Sequence, residues 1–254
     1  MIAGEIVAQH LEHRLGRKVQ RRFNVGTGLI TYQELDAGRI SLFPEYTGAI
    51  ESEILREPAS SDPAVVWQRT HSEMDRRAKM ELFNPLGYDD PPAMVVKAAD
   101  ADKISTLSQA AAASAKWKIG VSYDFQQHSD LVTALNRYRL PTASAMRGME
   151  ATDLFPALME GTVSMIAADS TDGHLASPDY RALTDDRHSF PPYQACLLVR
   201  QDVLTAEPQL RGYLAELSGK FTTEMMRKLS AEVELKHREV SDVAAEFLTQ
   251  AGLK

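Results

Sequence analysis

Apolar residues in the opening segment IAGEIVAQHLEHRLG fall at Ile2, Ile6, Val7, Leu11 and Leu15. That spacing predicts an amphipathic helix, stopped by Gly16. RKVQRRFNV, residues 17–25, alternates and predicts a strand with a basic, solvated outer face. GTGLITYQELDAG then reads as a glycine turn and a helix from about Leu29 to Ala37, ended by Gly38. RISLF predicts a short strand that Pro44 terminates. The order β, loop, α, β is the unit of a doubly wound sheet.

Further along, Asp62 and Pro63 open a long helix that runs to Pro85-Leu86-Gly87. AMVVKA, residues 93–98, is a buried strand. TLSQAAAASAKW is an alanine-rich helix, KIGVS a strand, and HSDLVTALNRYRL a helix. MEATDLFPALMEGTVSMIAAD repeats the helix, glycine, strand rhythm of ELDAGRISLF. YQACLLVR is a strand, and two or more helices follow from Asp202. Both LDAGRISLFPEYTG and LMEGTVSMIAADSTDG place a polar loop at the carboxyl end of a strand, where open α/β sheets hold ligands. Two such loops suggest two similar lobes.

Composition narrows the class. A net charge of −7 argues against nucleic acid as a partner, favours solubility, and is neutral to helpful for a cationic ligand. No run of about 18 apolar residues marks a transmembrane helix, and the first residues do not pattern as a signal peptide. The single cysteine, Cys196, lies in the apolar run ACLLVR, where a thiol is inert. HExxH and GxSxG are absent, so no enzyme activity, catalytic residue, metal or cofactor is expected. Gly26-Thr27-Gly28 lacks the Lys-Ser/Thr pair of a phosphate-binding loop.

FNVGTGLITYQELDAGRISLFPEYTG, LFNPLGYDD, KIGVSYDF, ADSTDGHL and DDRHSFPPYQACLLVR, in that order, resemble the substrate-binding proteins of osmoprotectant ABC importers. That family binds glycine betaine, choline, carnitine and related quaternary amines. The resemblance spans most of the chain, and the combination of PEYTG, STDG and FPPY carries it. It implies a type II periplasmic-binding-protein fold, with two α/β lobes joined by two crossover strands, AMVVKA and ACLLVR. Lobe 1 would comprise residues 1–94 and 196–254, and lobe 2 residues 95–195. The family pattern has a strand and loop before the helix with which this chain opens, so the first strand of lobe 1 is expected to be missing. The implied function is the extracytoplasmic or periplasmic capture of a quaternary amine by hinge closure. The implied partner is an ABC permease, and the protein would be a monomer. The alternatives are a ligand-sensing domain of the same fold and a degenerate, low-affinity paralogue.

A quaternary ammonium donates no hydrogen bond and carries a diffuse charge. Aromatic faces suit it, each contributing about 0.5–2 kcal/mol when desolvated. By resemblance, Tyr46 of PEYTG and Tyr193 of FPPY are the retained rings. Pro92 stands where the family often has a third Tyr, and Asp169 occupies another aromatic position. His128 replaces an Arg that clamps a betaine carboxylate. These departures imply a choline-like cation, a larger betaine, or weak binding. Asp90 is a further polar candidate, Thr27 and Gly28 offer hydroxyl and N–H contacts, and Thr171 shapes the STDG loop. Outside the resemblance, each has a plainer role: Tyr46 a core-edge ring, Tyr193 part of a proline turn, Asp169 a backbone cap, and His128 a solvated residue at a helix start.

Overall fold

The computed structural model describes residues 1–58, 60–101, 104–113, 117–123, 125–127, 129–142 and 146–254. By contacts the chain divides into Met1–Asp90 with Pro192–Lys254, unit 1, and Pro91–Pro191, unit 2.

Unit 1 begins with helix α1, Ile2–Leu15. It stops at Gly16, whose φ of 66° is the left-handed cap conformation that glycine adopts without a Cβ clash. Helix α2 (Gly28–Asp36), strand β1 (Leu42–Tyr46) and a short helix α3 (Thr47–Ala49) follow, and α3 runs into a π-helical turn at Ile50–Ile54. Helix α4 (Pro63–Glu73) is capped by Asp62, whose carboxylate accepts from the backbone of Ala64 and Val65. A second π turn, Met74–Ala78, leads into strand β2, Met80–Leu82.

Unit 2 holds strand β3 (Pro92–Lys97), helix α5 (Leu107–Ala112), strand β4 (Ile119–Ser122), helix α6 (Ser129–Tyr138) and strand β5 (Met146–Met149). Helix α7 (Leu154–Glu160) and strands β6 (Met165–Asp169) and β7 (Tyr180–Ala182) complete it. Its sheet has the order β5-β4-β6-β3-β7. Strand β4 runs parallel to β5 and β6, whereas β3 pairs antiparallel with β6 and β7.

The chain re-enters unit 1 through strand β8 (Ala195–Arg200) and helices α8 (Gln201–Ala206), α9 (Leu210–Ala215), α10 (Thr223–Glu234) and α11 (Val240–Gln250). Strand β8 is central between β1 and β2, and both pairings are antiparallel. Its unbroken apolar run is buried on both faces. Leu197 and Val199 join Ile6, Leu11, Phe221 and Phe247 on one side. Cys196 and Leu198 join Leu35, Phe43, Ile50 and Leu82 on the other. Full burial contributes about 1.5–3 kcal/mol per such side chain, so this strand anchors two cores at once.

Four sequence readings change. Residues 17–25 form no strand. Arg21 turns back on α1 and bonds Glu5 at 2.9 Å and Glu12 at 2.6 Å, so it is not a solvated charge. Pro44 does not end β1. It sits within the strand opposite Leu197, because β1 is an edge strand and Pro costs the ladder nothing where no neighbour needs its N–H. The helix from Pro63 does not reach Pro85, since Lys79 takes a left-handed φ of 53° and the chain extends as β2. Strands β5 and β7 were not foreseen.

Candidate functional site

The two retained rings come together in unit 1 through backbone zipping. Tyr46 closes β1, opposite Ala195 in register. Just beyond it, the Thr47 N–H donates to the Gln194 carbonyl at 3.0 Å, and the Thr47 hydroxyl accepts from the Gln194 N–H at 3.1 Å. On the other side of Tyr193, the Asp90 N–H donates to the Tyr193 carbonyl at 3.0 Å and Asp89 Oδ1 accepts the Tyr193 N–H at 2.6 Å. Segments 46–48, 88–90 and 192–194 thus share one hydrogen-bonded frame. The Tyr46 and Tyr193 centroids lie 6.3 Å apart, tilted by 53°.

Gly48 makes this approach fit. A Cβ there would stand 2.8 Å from the Pro192 carbonyl oxygen and 2.8 Å from Cε2 of Tyr193. Behind Tyr46 lies Tyr88, edge-on at 6.4 Å and 84°. Tyr88 meets Phe221 at 6.0 Å, and Phe221 stacks on Phe247 at 4.9 Å. A ladder of rings therefore runs from the site into the core of unit 1. Such offset and edge-on pairs add about 0.5–1.5 kcal/mol each beyond their buried area.

The polar side of the cluster is acidic. The Tyr46 hydroxyl donates to Asp90 Oδ2 at 3.1 Å. Tyr88 and Asp90 are buried. Burial pushes the Tyr88 phenol up, and the Asp90 charge adds to it. Burial also raises Asp89, against the Tyr193 N–H that lowers it. Ring faces next to carboxylates, with phenol hydroxyls occupied at the edges, suit a cation that offers no hydrogen bond.

The other candidates are placed as follows. Thr27 is the N-cap position of α2 without a side-chain capping bond, and Gly28 is the first helical residue, packed against Glu45. In unit 2, Asp169 ends β6, is exposed, and pairs in register with Pro92. Its carbonyl accepts the Asp172 N–H at 3.1 Å. Thr171 is buried in the turn that follows, and Asp172 caps the next helical turn through the His174 N–H. His128 lies outside the described residues. Tyr46, Tyr193 and Asp90 are thus brought together in unit 1, and Asp169 and Thr171 share one loop of unit 2. Tyr88, Asp89 and Gly48 were missed. The signal for the first two was the aromatic-acid-acid run GYDD.

Among the described residues no helix is long and apolar enough to cross a membrane. The family profile described as the substrate binding domain of ABC-type glycine betaine transport system matches residues 1–250. The chain is 27% identical to a carnitine transport binding protein, OpuCC, of Listeria monocytogenes over 251 residues, covering 97% of this chain and 82% of that protein. It is 22% identical to the glycine betaine-binding protein YehZ of Escherichia coli, covering 99% of this chain and 87% of that one. A crystal structure of a glycine betaine/carnitine/choline ABC transporter protein superposes with a TM-score of 0.86 at 24% identity, covering 99% of this chain and 94% of that chain. That likeness shows the fold, the type II periplasmic-binding-protein fold.

Proposed function

The chain belongs to the family of substrate-binding domains of ABC-type glycine betaine transport systems, and on that premise we propose that its solute is a quaternary ammonium held by Tyr46, Tyr193 and Asp90. The family is one of transport components, not of enzymes. The observation that carries the proposal is the Tyr46 geometry. Its hydroxyl is taken up by Asp90 at 3.1 Å while its ring stands 6.3 Å from that of Tyr193. Ring faces supply cation–π attraction, and the carboxylate supplies a counter-charge.

The relatives' names point to carnitine and glycine betaine as solutes of those proteins. For this chain, Asp169 at a family aromatic position, Pro92 at another and His128 at an arginine position weigh toward a choline-like cation or a larger betaine. The cognate partner is an ABC permease, the working place is extracytoplasmic, and the protein acts as a monomer. Capture by hinge closure belongs to the same proposal, since a solute shifts a two-state protein only by its differential affinity for the two states. Thr27 and Gly28 shape the start of α2 in unit 1, Thr171 shapes the loop after β6 in unit 2, and Asp169 adds negative charge to that loop. The matches are to transport components, which disfavours the sensing-domain alternative.

The test is calorimetric titration with choline, glycine betaine and carnitine, repeated on Tyr46→Ala. The expected result is saturable binding of at least one of them, strongly weakened in the variant while its urea transition stays cooperative. No binding of any, or binding indifferent to Tyr46→Ala, contradicts the assignment.

A further inference from the structure

Glu45 is next to Tyr46 in β1 but points to the opposite face, because successive side chains of a strand alternate. It lies on the Phe43 side, at the amino end of α2, and is 5% exposed. Oε1 accepts the Tyr46 N–H at 2.8 Å. Oε2 is buried and has no hydrogen-bond partner among the described residues. A Cβ built on Gly28 would lie 2.6 Å from Oε2, so only a glycine lets α2 start against this carboxyl. An acid placed this way is poorly tolerated as an anion and comfortable when neutral. Burial accordingly pushes it up to about 7, with the Tyr46 N–H opposing and the charge of Glu53 adding. Its register partner on β8 is Cys196, itself neutral because burial pushes the thiol up to about 12. Helix α2 meets it with uncharged Gly28, and Asp89 and Asp90 lie with the Tyr46 and Tyr193 side of the frame.

We propose that Glu45 is the charge-compensating residue of the solute site: a cation arriving on the Tyr46 ring expels the Glu45 proton, and the carboxylate left behind tightens the grip on that cation. This rests on the reading of Tyr46 as a solute contact. The step is a proton exchange only. The neutral acid loses its proton to bulk water, the carboxylate keeps the electron pair, and the cation replaces the proton's charge. A choline-like monocation therefore leaves the net charge of the site unchanged. A betaine brings its own carboxylate and has less use for a second one, so Glu45 discriminates between net cations and zwitterions. Because binding releases a proton, affinity for the cation rises with pH through the neutral range and levels off above it. If the bound charge lowers Glu45 by about one unit, the two plateaus differ by about tenfold.

The experiment is calorimetry of the full chain with choline and with glycine betaine, near pH 7, in buffers of different ionisation enthalpy. This counts protons on the unaltered protein. The expected result is release of roughly half a proton per choline, for a shift of about one unit, and less for betaine. Glu45→Gln should abolish the release and flatten the pH dependence of choline affinity at the lower plateau. Clear choline binding with no proton exchange overturns the inference and leaves the solute assignment standing, and so does an unaltered pH profile in Glu45→Gln. If choline binds at no pH the inference falls, and if glycine betaine and carnitine fail to bind as well, the solute assignment falls with it.

Discussion

Gly48→Ala is a one-carbon perturbation aimed at the ring site. The added Cβ would sit 2.8 Å from the Pro192 carbonyl and 2.8 and 2.9 Å from two carbons of the Tyr193 ring. Ordinary contact begins near 3.4 Å, so the ring and the carbonyl must give way by more than half an ångström. The carbonyl is tied down, because the Thr47 hydroxyl donates to it at 3.3 Å and the neighbouring Gln194 bonds Thr47 twice. The ring must therefore move. Overpacking of this kind costs about 1–3 kcal/mol. Alanine in place of glycine in the helical turn Thr47–Ala49 returns about 0.8–1 kcal/mol. The net loss of stability is then about 0–2 kcal/mol. Loss of one well-placed ring face weakens cation binding by about 0.5–2 kcal/mol, or roughly two- to thirtyfold. Urea denaturation reads the first quantity, and titration with a quaternary ammonium reads the second. Gly212→Ala, in α9 with nothing within 4 Å of the new carbon, is the control and should bind as the parent does. If Gly48→Ala binds with parental affinity, Tyr193 is not a solute contact.

Tyr46→Phe keeps the ring and removes the donor to buried Asp90, so it should cost about 1–3 kcal/mol in urea while cation affinity falls less than in Tyr46→Ala. The Arg21 guanidinium holds the Glu12 carboxyl down at about 2, well below the ordinary 4.5 of a glutamate. Because the folded value is depressed, the stabilisation is present above about 4.5 and is lost as pH falls toward about 2. Arg21→Ala should remove that acid-side slope in a series of denaturation curves. Cys196 is fully buried, and burial pushes its thiol up to about 12, so a thiol reagent should label it only after denaturant unfolds unit 1.

What the sequence disclosed and what it hid have the same origin. Local rules worked where one face or one cap decides the outcome. Gly16 stops α1 in the left-handed conformation, Asp62 and Pro63 start α4, and the apolar run of β8 is buried on both faces. They failed where a distant partner decides. Pro44 is tolerated because β1 turned out to be an edge, and Arg21 is claimed by α1 rather than by a strand. In the ring cluster, Tyr46 and Tyr193 were singled out through PEYTG and FPPY, and the fold brings their rings to 6.3 Å. Tyr88, Asp89 and Gly48 were not, because their roles depend on the zipping of segments that lie more than a hundred residues apart in the chain, as in the bond between Tyr193 and Asp89. Glu45 escaped notice for a simpler reason. An acid in PEYTG reads as a loop charge until the strand is seen to turn it inward.

Comparing choline with its uncharged isostere 3,3-dimethyl-1-butanol asks whether the rings of Tyr46 and Tyr193 hold a positive charge. The two ligands fill the same volume and differ by one unit of charge, so calorimetric affinities isolate the charge itself. The account predicts that choline binds at least tenfold more tightly, and that this advantage shrinks in Tyr46→Ala and in Tyr193→Ala. Equal affinities for the two ligands, or an advantage untouched by both substitutions, would contradict it.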